Sequence, residues 1–343
     1  MKSFAQMGKY TISPVVQLAG ILTTSLLIMF FFYQSMGDVP IRDVYAPVTI
    51  LTPQRLAEFG GLPAEVGVGM FLRAFPRFDP IRGDFIADIT LWFLFDPRLI
   101  SIERISEFAF ERAVIVNRST PYVRVIRNNV LVRYDLRVQQ SVPFDYRDFP
   151  FDGHRLNLAL VNYFLSPSEV IFTSSRGDLV INPDLDILGW QCVERRVTAG
   201  FGEERLNIQE SRQDSAYPRV VFAFDFERAG SRHIVSIFVP LLLIFFIALL
   251  TFSFDPLSAA MASILSLSAT AVTALIAYRF VIENMSPQVG YFMVSDYVFL
   301  MFLIACCIIF FINVFGAFVS ALYKTVAAVF LHLFIILTFF FLI

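Results

Sequence analysis

The chain has 343 residues, of which 57% are hydrophobic, 16% aromatic and only 16% charged, with 40 phenylalanines and a formal net charge of -2. A soluble domain carries about a quarter charged residues, so a single water-soluble globule is excluded, and the near-neutral balance argues against a nucleic-acid partner. The charge deficit is local: positions 1–37 hold only Lys2 and Lys9, positions 234–343 hold only Asp255, Arg279, Glu283, Asp296 and Lys324, and all other charges lie in 38–233.

In chain order, the first apolar run is Val15–Tyr33, behind the basic start MKSFAQMGKY. Residues 1–37 read either as a cleaved secretory signal, with Ser35 and Gly37 as small residues before a cut, or as a retained membrane anchor; both send the following segment across the membrane. Residues 38–232 contain short runs of period-two alternation separated by turn residues, the pattern of an all-β sandwich. In DITLWFLF, Ile89, Leu91, Phe93 and Phe95 share one face, and in VRVIRNNVLVRYDLRV a hairpin turn is expected at Asn128-Asn129 because Asn tolerates positive φ. Cys192 is the single thiol of this region, so no internal disulfide is expected there.

Residues 233–343 hold four runs long enough to cross a bilayer, read as Ile234–Phe254, Leu257–Ile282, Tyr297–Leu322 and Thr325–Ile343. With the N-terminus inside, Lys324 in the link before the last span is also inside, as the positive-inside rule prefers. The expected location is the cell (inner) membrane, multi-pass, with the β region on the far side, in the periplasm or extracellular. No HExxH, GxSxG, phosphate loop or CxxC pair occurs, and His154, His233 and His332 are dispersed. An enzyme, a cofactor and a metal site are accordingly not expected.

The second of these four spans differs in kind, carrying Ser258, Ser263, Ser266, Ser268, Thr270 and Thr273. Ser266, Thr270, Thr273, Ala277 and Phe280 follow i, i+4, i+7, i+11, i+14 and share one helical face. Such a stripe fits the wall of an aqueous pore, with an apolar ring of Ala277 and Phe280 or Ile276 above it; periodicity alone fits close helix packing by small residues equally well. Asp255 and Glu283 would attract cations and Arg279 would oppose them, a balance that leans to cations.

SVPFDYRDFPFDGHRL between strands, the Pro240-containing span, the hydroxyl-rich span and the link ENMSPQVGY resemble, in that order, the pentameric ligand-gated ion channels (the Cys-loop receptor superfamily), most of all their bacterial members. Phe149-Pro150-Phe151-Asp152 looks like the signature loop, Arg228 like the arginine before the first span, and Asn284, Pro287, Tyr291 and Asp296 like the link between second and third spans. Val142 and Leu156 stand where the loop cysteines would be. The resemblance implies a homopentamer in membrane lipid, passing inorganic ions when a small-molecule agonist or a proton binds between neighbouring β-sandwiches. It places Tyr163, Phe164 and Tyr217 near the aromatic agonist site. For gating it suggests a pair of Asp152 with Arg228, and Phe149-Pro150-Phe151 resting on the link around Pro287. The alternative reading is a non-conducting membrane receptor with the same fold.

Overall fold

A computed structural model of the protein describes residues 12–35, 41–42, 48–50, 52, 63–208, 211–254, 261–316 and 319–342, with only the backbone described at 42, 204–208, 211–215 and 321. Two compact units are present. One comprises residues 41–145 and 153–229, and the other comprises residues 1–40, 146–152 and 230–343. The chain thus leaves the first unit for seven residues around Phe149-Pro150-Phe151 and then returns.

The first unit is a two-sheet β-sandwich. One sheet runs β1 (Ile41–Arg42), β8 (Gly153–Val161), β12 (Ser211–Arg228) and β11 (Trp190–Ile208), with β4 (Ala109–Phe110) also on β8. The other runs β10 (Leu179–Ile181), β2 (Ala64–Asp79), β3 (Asp84–Phe95), β7 (Asn129–Ser141) and β5 (Ala113–Arg118); β6 (Tyr122–Ile126) pairs with β7 and β9 (Val170–Thr173) with β2. The alternation translates directly into burial: Ile89, Leu91, Phe93 and Phe95 all point into the core, together with Phe222, Phe224 and Phe226. Val142 and Leu156 are buried there too. The β6–β7 turn sits one residue earlier than expected, at Arg127-Asn128, because Ile126 pairs with Asn129; Arg127 takes the positive φ of 56°.

On the face of the β8–β12 sheet turned away from the core lies a buried ion pair. Arg155 Nε and Nη2 donate to the two carboxylate oxygens of Asp225 at 2.7 and 2.9 Å, and the two side chains are 11% and 2% exposed. Arg196 stands 3.6 Å from the same carboxylate.

The second unit holds five long helices: α1 (Pro14–Ser35), α2 (Arg232–Leu250), α3 (Met261–Met285), α4 (Val294–Val314) and α5 (Ala321–Leu342). Each is long and apolar enough to cross a membrane. These helices support a multi-pass membrane protein. The third expected span ends early, at Val314, because Phe315-Gly316 turns the chain back, with Gly316 N–H donating to Asn313; hydropathy alone runs on through this break. Lys324, expected in a link, lies instead in the first turn of α5 and is buried. Asp255 and Ser258 fall outside the described residues.

Arg155→Ala should destabilise the β unit, by less than the ~3–5 kcal/mol of an uncompensated buried charge because Arg196 remains 3.6 Å from Asp225, measured as a drop in its thermal or denaturant midpoint; an unchanged midpoint would show that the pair is dispensable.

Candidate functional site

The face of α3 is the first element of the site. Ser266, Thr270, Thr273, Ala277 and Phe280 are all exposed on the subunit, whereas Ile264, Ser268, Ala271, Leu275 and Ile282 of the same helix are buried. Thr270 Oγ1 donates to the Ser266 carbonyl at 2.8 Å and Thr273 Oγ1 to the Ala269 carbonyl at 3.1 Å. Each hydroxyl hydrogen is thereby taken up by the helix backbone, and the oxygen lone pairs remain for whatever lies beside this face. Toward the C-terminal end of α3, Ile276, Phe280 and Val281 are large exposed apolar groups.

Arg279 does not stand as a bare cation beside them. Its guanidinium donates to Glu283 Oε1 at 3.0 Å and to Asp296 of α4, and lies 5.4 Å from the centre of the Phe299 ring. Two carboxylates meet one guanidinium, so the cluster carries an excess negative charge. A cleft of about 510 Å³ opens beside it, lined by Arg279, Glu283, Pro287, Tyr291 and Asp296 among others.

Asp296 has a second task. A helix leaves its first backbone N–H groups without partners. At α4 these are satisfied in two ways: Asp296 Oδ2 accepts from Met293 N–H at 2.9 Å, while Val294 and Ser295 N–H donate to the carbonyls of Arg147 and Phe149 at 2.9 and 3.2 Å. The segment 146–152 is therefore the N-terminal cap of α4. Tyr146 N–H donates to Tyr291 Oη at 2.8 Å, and the Arg147 guanidinium lies 5.4 Å from the Tyr291 ring centre. Phe149 is fully buried, Phe151 stacks on Phe238 of α2 at 5.8 Å, and Pro150 is buried behind a cis peptide bond. Pro287 is buried, but the hydrogen bonds of the loop run to Tyr291, Val294 and Ser295, at the far end of the link. Asp152 is 3% exposed, and Arg228 lies with its guanidinium 4.6 Å from the Trp190 ring centre.

The third element is aromatic and lies in the β unit. Tyr163 and Tyr217 meet edge to face with ring centres 4.7 Å apart, while Phe164 is 70% exposed beside them in sequence. Tyr217 Oη donates to Glu111 Oε1 at 3.3 Å and Arg219 Nη2 to Glu111 Oε2 at 2.7 Å. The ring of Tyr217 lies where a side chain at position 202 would be: a Cβ added to Gly202 would come within 2.5 Å of it. Burial, with the Glu111 carboxylate nearby, pushes the Tyr217 hydroxyl up to about 12.

Sequence reasoning read Arg279 as opposing cations and Asp296 as part of the link between the second and third spans, but did not join the two, and it assigned no role to Glu111 or Arg147. The available signal for Asp296 and Arg279 was their charge within apolar spans, because an ionisable group at membrane depth needs a named partner. Nothing local marked Glu111 or Arg147.

No protein-family model matches the chain. Over 175 residues it is 26% identical to the human neuronal acetylcholine receptor subunit alpha-9, an alignment covering 47% of this chain and 34% of that protein. The Gallus gallus subunit of the same name is 27% identical over 175 residues, covering 47% and 33%. The Rattus norvegicus subunit is 26% identical over the same length, covering 47% and 34%. The matched segment thus spans about a third of the length of these curated relatives. This similarity supports the resemblance to the Cys-loop pentameric channel superfamily, and a receptor rather than an enzyme.

Asp296→Asn should lower the melting midpoint of the detergent-solubilised protein, by less than the ~3–5 kcal/mol of an unpaired buried charge because Arg279 is 29% exposed and keeps Glu283; an unchanged midpoint would show that the pair does not hold α3 to α4. Tyr217 should ionise well after ordinary tyrosines in an ultraviolet titration referenced to Tyr217→Phe. The preference of the fold for the neutral phenol is complete below pH 10.0 and lost as pH rises toward about 12. Ionisation near pH 10 would contradict the burial.

Proposed function

We propose that the protein is the subunit of a homopentameric ligand-gated channel of the bacterial type, lodged in the inner membrane with its β-sandwich in the periplasm and passing small cations along α3. The observation that carries this reading is that Ser266, Thr270, Thr273, Ala277 and Phe280 form one exposed face of α3, while Ile264, Leu275 and Ile282 are buried. Leu267, Ile276 and Val281 are exposed as well, and it is the line of hydroxyls that suits water, since lipid offers a hydroxyl nothing. Five copies around an axis turn this face onto a shared water column, where hydroxyl oxygens with occupied hydrogens replace part of a cation's hydration. Phe280 and Ile276 supply an apolar ring that closes by dewetting. Arg279, engaged by two carboxylates, leaves the outer mouth with excess negative charge.

The agonist site is the aromatic cluster of Tyr163, Phe164 and Tyr217, which suits a cationic or proton-delivering agonist through the ring faces. Gating passes through Phe149, Pro150, Phe151, Asp152 and Arg228 to the link that begins at Pro287. In the chain of contacts, movement of 146–152 alters the cap of α4, α4 holds Asp296, and Asp296 holds Arg279 on the pore helix. The similarity to neuronal acetylcholine receptor subunits supports channel activity of this kind.

Planar-bilayer recording of purified protein in asymmetric salt should give currents whose reversal potential follows the cation gradient, from particles that native mass spectrometry counts as five copies. A reversal that follows chloride would overturn the cation assignment. Silent pentamers under every agonist and pH tried would instead favour the non-conducting receptor.

A further inference from the structure

We infer that α1 is retained in the mature subunit as a fifth membrane-spanning helix, docked in a groove formed by α2 and α5. The inference rests on the seam that α1 presents to its neighbours. Gln17, Gly20, Thr24 and Ile28 recur at i, i+3, i+7 and i+11, so they line one face, and Gln17, Thr24 and Ile28 are buried at 3%, 2% and 1% exposure. Val15, Leu18, Leu22, Leu26, Met29 and Tyr33 are exposed apart from that seam, in positions that suit lipid.

Each polar group on the seam has a partner on another helix or its cap. Gln17 Nε2 donates to the carbonyl of Leu249, in the last turn of α2, where a helix leaves carbonyls unpartnered. Ser253, just beyond that helix, donates its hydroxyl hydrogen to Gln17 Oε1. At mid-helix, Thr24 Oγ1 and His332 Nδ1 of α5 are 2.7 Å apart. Gly20 makes room for that imidazole: a Cβ added there would stand 3.3 Å from Nε2. Small residues one turn apart are how membrane helices approach closely, and a hydrogen bond across the contact relieves a polar group that hydrocarbon would leave unsatisfied. Without α1, His332 and Ser253 would face lipid on this side.

The apolar end of the seam is equally specific. Phe32 stacks on Phe238 of α2 at 5.0 Å, meets Phe339 of α5 edge to face at 5.5 Å, and stacks on Phe151 at 5.9 Å. Pairing Gln17 with Leu249 and Phe32 with Phe238 makes α1 antiparallel to α2. Pairing Thr24 with His332 and Phe32 with Phe339 makes it parallel to α5. This is the direction that the alternation of spans α2 to α5 requires of a helix crossing from the side where α2 ends to the side where α2 begins. A secretory signal needs an apolar stretch of about 7–15 residues and no matched polar seam; α1 has 22 residues and such a seam. Through Phe151, the same helix buttresses the loop that caps α4.

The test uses the full chain carrying a C-terminal tag, purified from membranes. Intact mass spectrometry should find residues 14–35 present, and a mature N-terminus beyond Ser35 would overturn the inference. In a second arm, Thr24→Cys combined with His332→Cys should give an intrasubunit cross-link with a short thiol reagent. Leu22→Cys with His332→Cys, on the lipid side, should not. A retained helix that cross-links in neither pair, or in both alike, would overturn the docking. Neither readout depends on whether the protein conducts, so a failure here is distinct from a failure of the channel reading.

Discussion

The helical unit depends on how the first turn of α4 is satisfied. A helix start leaves its first N–H groups without partners, which caps must satisfy. Here the carbonyls of Arg147 and Phe149 accept from Val294 and Ser295, and the Asp296 carboxylate accepts from Met293. The same carboxylate holds Arg279 of α3. One capping arrangement thereby fastens a seven-residue loop, the start of one helix and the outer end of another.

The asymmetry of α3 follows from its position against this scaffold. Its aliphatic groups, Ile264, Leu275 and Ile282, fill the space toward the neighbouring helices, and Ser268 closes its own hydrogen bond on Ile264 at 3.0 Å. What remains outward includes the hydroxyls of Ser266, Thr270 and Thr273, with Ile276, Phe280 and Val281 toward the C-terminal end of the helix. Exposure of the hydroxyls is favoured where that face meets water. Arg279 would disfavour cations if it reached that water alone, but two carboxylates engage it, and geometry rather than residue type decides its effect.

Much of this was legible in the sequence. Period-two alternation gave the sheets, because side chains in a strand alternate faces whatever the tertiary context. The residues on the α3 face were legible for the same kind of reason at period 3.6. Less visible were events that depend on distant parts of the chain. The hairpin turn shifted to Arg127 because register against β7 outweighed the local preference of Asn for positive φ. The end of α4 at Val314 was hidden by hydropathy that continues through the turn, and Lys324 was assigned to a link although α5 begins before it. The Glu111–Tyr217–Arg219 cluster joins residues more than a hundred positions apart and leaves no local pattern. The polar seam of α1 was present in the sequence as Gln17, Gly20 and Thr24, yet its meaning required the position of His332.

The central claim is that the outward face of α3 meets water, and substituted-cysteine accessibility along 262–284 in the assembled, membrane-embedded protein tests it most directly. The account predicts rapid modification by a charged thiol reagent at 266, 270, 273 and 277, and protection at 264, 268, 271, 275 and 282. Uniform protection at 266, 270 and 273 in every state, with or without agonist, would contradict it.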